Sequence, residues 1–223
     1  MNDGVPGRLA QLRVQIGEEA RAAGRSPEEI VLVGVSKKQP LEPIRAAIEA
    51  GLGDIGESYV QEAALKFGSL PPVRKHYIGH VQTNKAKRIA EIFDIVQSVD
   101  REDAARALAR AASALGKVLP VLLQLNISPA DRFGAPPDAA ERLAEAIRAE
   151  PSLRLDGVMA IGPDTPDRAE IARAFALAAK TLARVGGSTL SIGMSGDWRE
   201  AVRAGSTMLR IGTGLFGRRQ EPR

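Results

Sequence analysis

Residues 188–217 read STLSIGMSGDWREAVRAGSTMLRIGTGLFG, and the fold is decided there. Residues 189–193 form a short apolar run that ends in Met194-Ser195-Gly196. Asp197, with Glu200 three residues on, is a capping-box variant that predicts a helix over 198–204, closed by Gly205. Residues 206–211 read as a second buried strand, and Gly212-Thr213-Gly214 follows at once. Two parallel strands joined by one short helix lie with their ends side by side. Ser195, Gly196, Gly212 and Thr213 are therefore expected to converge on one spot rich in backbone N–H groups and hydroxyls, a cradle for phosphate. Arg210, inside the second strand, is expected to flank whatever the phosphate carries. The alternative is that the glycines serve only tight βα turns.

Working outward, the chain alternates strand and helix. Residues 6–23 carry Leu9, Leu12, Val14 and Ile16 among charges and predict an amphipathic helix ending at Gly24. Residues 29–35 (EIVLVGV) form a β-branched run too short for a helix, which ends in Ser36-Lys37-Lys38 before Pro40. Further strands are expected at 53–57, 76–79, 95–99, 118–127 and 153–161. The helices between them are expected at 42–50, 58–67, from 82 to about 93, 101–115, 138–149 and 165–185. The run 118–127 is ambiguous by periodicity, and the alternating order makes it a strand. Residues 128–137 read as a loop and 218–223 as a polar, fraying tail.

About eight βα units with no break in composition predict an α/β protein, a single (β/α)8 TIM-type barrel over 1–223 with an extra N-terminal helix. A doubly wound open sheet is the other arrangement such alternation allows. In a barrel, the loops after strands seven and eight lie beside strand one, so Lys37 points at the pocket of Ser195 and Thr213.

Composition narrows the chemistry. The 223 residues are 44% hydrophobic and 26% charged, with only 4% aromatic, so the core is built from Leu, Ile, Val and Ala. The net charge of +4 is spread along the chain, unlike a nucleic-acid footprint, and aromatic stacking platforms are missing. With no cysteine, disulfides, thiolate metal sites and cysteine nucleophiles are excluded together. The two histidines, His76 and His80, make no metal-binding spacing. No signal segment opens the chain, and no apolar run approaches about twenty residues, so a cytoplasmic protein without membrane contact is expected.

A lysine beside a phosphate site can act as a point charge or as a nucleophile toward a carbonyl. The second role needs a depressed pKa, for which Lys38 and Arg210 are candidate sources of positive charge. Both roles stay open on the residues alone.

The segments GVSKKQP, IGESYVQE, HYIGHVQTNK, GVMAIG and the stretch quoted at the outset closely resemble the motifs of the pyridoxal phosphate homeostasis family, in the same order from about residue 30 to 217. The resemblance implies a barrel like the N-terminal domain of alanine racemase that holds pyridoxal 5′-phosphate (PLP). It implies that Lys37 forms the internal aldimine, that Ser195, Gly212 and Thr213 bind the phosphate, and that Arg210 faces the pyridine nitrogen. Two departures stand out. Ser58 replaces the Asn of the family's Gly-Glu-Asn-Tyr motif, a shorter side chain at a cofactor-binding position. The segment 126–134 carries Arg132 where the family often has a lysine, so covalent chemistry on such a lysine is not expected. His80 matches a family motif and is expected either to contact the ring or to cap the next helix. Trp198 is expected to pack on a neighbouring helix.

Racemisation requires proton donors on both faces of the cofactor. Only Tyr59 and Tyr77 offer themselves, and the sequence carries no second domain resembling the C-terminal domain of alanine racemase. The expectation is a non-catalytic, monomeric PLP carrier with no metal, in transient contact with apo forms of PLP-dependent enzymes. A weak racemase or decarboxylase, or a sugar-phosphate enzyme using Lys37, are the other readings.

Overall fold

In the computed structural model, residues 4–128 and 132–217 are described. The expectations for Pro129, Ala130 and Asp131 of the 128–137 loop, and for the 218–223 tail, lie outside the described residues.

Eight parallel strands close into a barrel in sequence order. They are β1 (Val31–Val35), β2 (Asp54–Glu57), β3 (Arg74–Tyr77), β4 (Ile95–Val99), β5 (Leu119–Asn126), β6 (Leu153–Ile161), β7 (Thr189–Ser191) and β8 (Met208–Ile211). The closing seam pairs Val31 with Met208 and Gly34 with Ile211. After the N-terminal helix α1 (Val5–Ala22) come α2 (Leu41–Glu49), α3 (Val60–Lys66), α4 (Ala86–Ile92), α5 (Glu102–Ala114), α6 (Ala140–Arg148), α7 (Arg168–Val185), α8 (Trp198–Arg203) and the single turn α9 (Thr213–Phe216). Among the described residues no helix is long and apolar enough to cross a membrane. The open-sheet alternative is excluded by the β1–β8 pairing.

Helix α1 lies across that closing seam, against α2, α8 and α9. Leu9, Leu12, Ile16 and Ala20 recur on one face and are buried, and burying a Leu or Ile side chain contributes about 1.5–3 kcal/mol. Val14, expected on that face, is 58% exposed because its spacing from Leu12 and Ile16 turns it outward. Arg8 Nε donates to Leu215 O at 2.7 Å, and Arg25 Nη1 reaches Ser206 O at 2.8 Å. The end of the barrel is thereby tied to the start of the chain.

Three expectations shift. Strand three runs two residues earlier than expected, because Arg74 pairs with Asp54 and Tyr77 with Glu57; His80 therefore follows the strand by three residues. Strand seven is only three residues long and stops before Gly193, whose φ is +95°. The capping box does not form, since Asp197 has φ −139° and ψ 11° and makes no side-chain cap. Its carboxylate turns back and accepts from Met194 N at 2.5 Å, closing the loop after β7 instead. Burial raises the Asp197 pKa, opposed by that N–H and by Arg210. Trp198 is buried, with Arg199 stacked 4.3 Å over its ring.

Candidate functional site

The strand ends of β1, β2, β7 and β8 enclose a cavity of about 320 Å³. Lys37, Ser58, Ser195, Gly196, Arg210, Gly212 and Thr213, expected at one site from the sequence, all line it. His80 does not. Its ring stacks on Phe133, 3.9 Å between centroids, and its Nδ1 lies 3.6 Å from Asp100. The reason is the early end of β3, which leaves Ile78 at the cavity and carries His80 past it.

The loops after β7 and β8 are joined across the cavity by Gly214 N donating to Ser195 Oγ at 3.1 Å. The backbone N–H groups of Ser195, Gly196 and Thr213 have no protein acceptor among the described residues. A Cβ at Gly196 would meet no protein atom within 4 Å, so the space beside that backbone belongs to the cavity. Two hydroxyls and free main-chain donors at one end suit an anion. Val35, Ile78 and Met159 supply apolar walls for a flat ring toward the other. These donors and walls fit PLP.

Lys37 is half-buried on a turn in which Gln39 N bonds to Ser36 O at 3.0 Å. Lys38, with φ +56°, is the one non-glycine residue of positive φ among the described residues, a conformation costing about 1–2 kcal/mol. Glu62 Oε2 accepts from Lys38 N at 2.9 Å and holds the turn there. Lys38 itself is exposed, so of the two cations expected beside Lys37 it is Arg210 that lines the cavity.

Beneath the turn lies a carboxylate that the sequence reading passed over. Glu57 is fully buried; it accepts from Ser58 N at 2.7 Å, with Ser36 Oγ at 3.1 Å and Lys66 Nζ at 3.6 Å. Burial raises its pKa above the usual 4.5, with Lys66 pulling the other way. A carboxyl whose folded pKa is raised contributes stability below its unfolded pKa and loses it as pH climbs through the folded value. Glu57→Gln keeps the backbone contacts and can donate to Ser36 Oγ, which already donates to Gly56 O. The variant is expected to lose less of its thermal midpoint than the wild type between pH 4.5 and the elevated value. Melting curves from about pH 4 to pH 8 check this; parallel curves would contradict it. Gln39, buried and lining the cavity, was also missed: nothing in the SKKQP string separates it from a loop residue.

Arg210 is buried, donating from Nη1 to Ser191 O and Oγ, both 2.7 Å, and from Nη2 to Ala160 O at 2.9 Å. Burial pulls its pKa down to about 10, Asp197 opposing, which leaves it cationic at neutral pH. Tyr77 lies outside the cavity, its hydroxyl donating to His80 O at 3.0 Å, and burial pushes it up to about 12. Among the described residues no cluster of His, Cys, Asp and Glu could hold a metal.

Fold and cavity together define a lysine-bearing (β/α)8 barrel of the alanine racemase N-terminal class, and the model of the family "Alanine racemase, N-terminal domain" matches residues 18–220. Within that class the chain belongs to the pyridoxal phosphate homeostasis protein family. The protein of that name from Pseudomonas aeruginosa is 44% identical over 216 residues, covering 95% of this chain and 94% of its own. That of Escherichia coli K12 is 40% identical over 234 residues, with 98% of each covered. Among solved structures, PipY of Synechococcus elongatus with PLP bound aligns at a TM-score of 0.85 and 34% identity, over 96% of this chain and 100% of its own. An alanine racemase of Clostridium difficile shares the fold, at a TM-score of 0.71 and 13% identity over 90% of this chain and 55% of that one.

Proposed function

We propose that this chain binds PLP in the cavity at the ends of β1, β7 and β8 and holds it covalently on Lys37 Nζ, storing the cofactor and handing it on. The observation that carries the reading is that one cavity is lined both by the lysine after β1 and by the hydroxyl- and glycine-bearing loops after β7 and β8. When bound, PLP supplies an aldehyde for the amine and a conjugated ring as an electron sink. Ser195, Thr213 and the free N–H groups beside them grip the phosphate. Arg210 meets the ring nitrogen as a donor that keeps its own proton, so the ring is left a poorer electron sink than an aspartate partner would make it. Ser58 reaches less far than the asparagine usual in the family, so a contact there is lost or passes through water.

The proton inventory supports storage over turnover. Among the described residues, Lys37 and Arg210 are the titratable ones lining the cavity, and an arginine is no general base. Proton transfer on two faces needs a second group; Tyr59 is 47% exposed outside the cavity and Tyr77 is tied to His80. The relatives bear the name of homeostasis proteins, which agrees. A cytoplasmic monomer that meets apo-enzymes transiently completes the proposal.

The test is reductive trapping. The purified chain is mixed with PLP, reduced with borohydride, digested and mapped by mass spectrometry. The expected label is on Lys37, with no amino acid turned over before reduction. A label distributed over Lys38, Lys85 and other exposed lysines, or steady turnover of an amino acid, would overturn the reading.

A further inference from the structure

The barrel interior, usually filled by branched apolar residues, here holds a continuous file of polar side chains from five strands. Arg210 Nη1 on β8 donates to Ser191 Oγ on β7 at 2.7 Å. Ser191 Oγ donates to Gln97 Oε1 on β4 at 2.7 Å. Gln97 Nε2 meets His76 Nδ1 on β3 at 2.8 Å, and His76 Nε2 meets Asp54 Oδ1 on β2 at 2.8 Å. All five residues are buried. Asp54 borders a second cavity, of about 360 Å³, among the N-terminal ends of the strands.

The direction of every bond follows from what each group can do. A guanidinium only donates, and a carboxylate only accepts. With Arg210 donating to its oxygen, the single Ser191 hydrogen goes to Gln97 Oε1. The Gln97 amide is oriented by its other contact, Met208 Sδ at 3.1 Å from Nε2, since sulfur is an acceptor. Gln97 Nε2 then donates to His76 Nδ1, which makes His76 the Nε2–H tautomer, and that proton faces Asp54. All four bonds point the same way, from the cation at the cavity to the carboxylate at the floor. Aligned bonds of this kind polarise one another. The Asp197 charge offsets part of the desolvation of Arg210, and the file carries another part of the compensation that a buried cation needs.

We propose that Ser191, Gln97, His76 and Asp54 are positioning residues that fix the orientation in which Arg210 meets the ring of bound PLP. Three of the five guanidinium hydrogens are taken by Ser191 and Ala160, leaving Nε–H and one Nη2–H uncommitted. Gln97, by accepting the Ser191 hydrogen, turns the lone pairs of Ser191 Oγ toward Nη1, one of three acceptors on the guanidinium beside the carbonyls of Ser191 and Ala160. Loss of Gln97 frees the serine hydroxyl to rotate and leaves Nη1 with the Ser191 carbonyl alone, so the guanidinium can tilt. The inference rests on PLP occupying the cavity, and its test separates the two.

Gln97→Met keeps the volume and removes both polar ends of the link. PLP affinity and the absorption spectrum of the bound cofactor are measured for wild type, Gln97→Met, Arg210→Gln and the double variant. Gln97→Met is expected to shift the spectrum and weaken binding by about five-fold, and the double variant to bind no more weakly than Arg210→Gln alone. Ser195→Ala, at the phosphate end, is expected to add in full to Gln97→Met. A purely structural file would lower the melting temperature with spectrum and affinity unchanged, and that result, or additive effects of Gln97→Met and Arg210→Gln, overturns the proposal. Should Gln97→Met fail to fold, the wild-type chain decides. Nitrogen-15 spectra of its histidines are expected to show His76 as the Nε2–H tautomer, with its resonances moving when PLP binds. An Nδ1–H or doubly protonated His76 at neutral pH breaks the file and overturns it. A wild-type chain that takes up no PLP overturns the cavity reading itself, and the ring-positioning role with it.

Discussion

Lys37→Ala is expected to weaken PLP binding by about two orders of magnitude or more and to abolish the visible absorption of the bound cofactor, with the melting temperature unmoved. Lys37 is not what holds its own turn. It is half-buried on a turn held by other groups, the Gln39 N–H on Ser36 O and the Glu62 carboxylate on Lys38 N. Two contributions to binding are lost together, the covalent link to the aldehyde and a cation near the phosphate. Lys37→Arg separates them, because a guanidinium keeps the charge and cannot form the link. The arginine variant is expected to be as colourless as the alanine variant while recovering part of the affinity. If arginine restored wild-type affinity, Lys37 would be a point charge only. Absorbance titration and equilibrium dialysis read the two quantities independently. Wild-type affinity in Lys37→Ala would remove the covalent reading.

The sequence disclosed this site so fully because seven of its residues lie at strand ends, where glycine, serine and lysine break an apolar pattern. In a parallel barrel all strand ends of one sense face one mouth. Knowing that β1, β7 and β8 are neighbours is then enough to bring Lys37, Ser195 and Thr213 together. His80 failed the same argument through register: β3 starts at Arg74 to pair with Asp54, and the histidine overshoots the cavity toward Phe133. The interior file was invisible for a different reason. Gln97 and Ser191 are polar residues on β4 and β7, strands far apart in the order of the sheet, and only closure of the barrel brings the two side chains together across its interior. Glu57 was in view inside a recognised motif, but only burial shows that it supports the Ser58 and Tyr59 backbone beneath the lysine turn. Capping-box logic misassigned Asp197, because the tertiary demand of the β7 loop outweighed a local preference that a six-residue helix exerts weakly.

That loop stands on the shortest strand, and Gly157 is what lets the strand fit. Gly157→Ala is expected to destabilise the protein by about 3 kcal/mol or more, lowering its melting temperature by roughly 6–12 °C. Gly157 has φ +154°, and a Cβ there would fall 2.0 Å from Thr189 O and 2.9 Å from Thr189 N, both backbone atoms of β7. The residue lies where the β5–β6 register slips between Val121 and Leu122, so a bulge forces its unusual backbone. Relief by moving β7 is costly, since it would break the Ser191–Met208 pairing and the bonds from Thr207 N to Leu190 O and from Arg210 N to Gly193 O. Gly212→Ala is the contrast: its Cβ would lie 3.6 Å from the nearest protein atom, Val35 Cβ. That variant is expected to melt within about 2 °C of wild type and to lose PLP affinity, because its methyl enters the space beside the phosphate loops. Were Gly157→Ala to melt as the wild type does, β7 would be free to slide. A sliding β7 could not hold Ser191 at 2.7 Å from Arg210 in one register, so the melt also tests the strand on which the arginine's position depends.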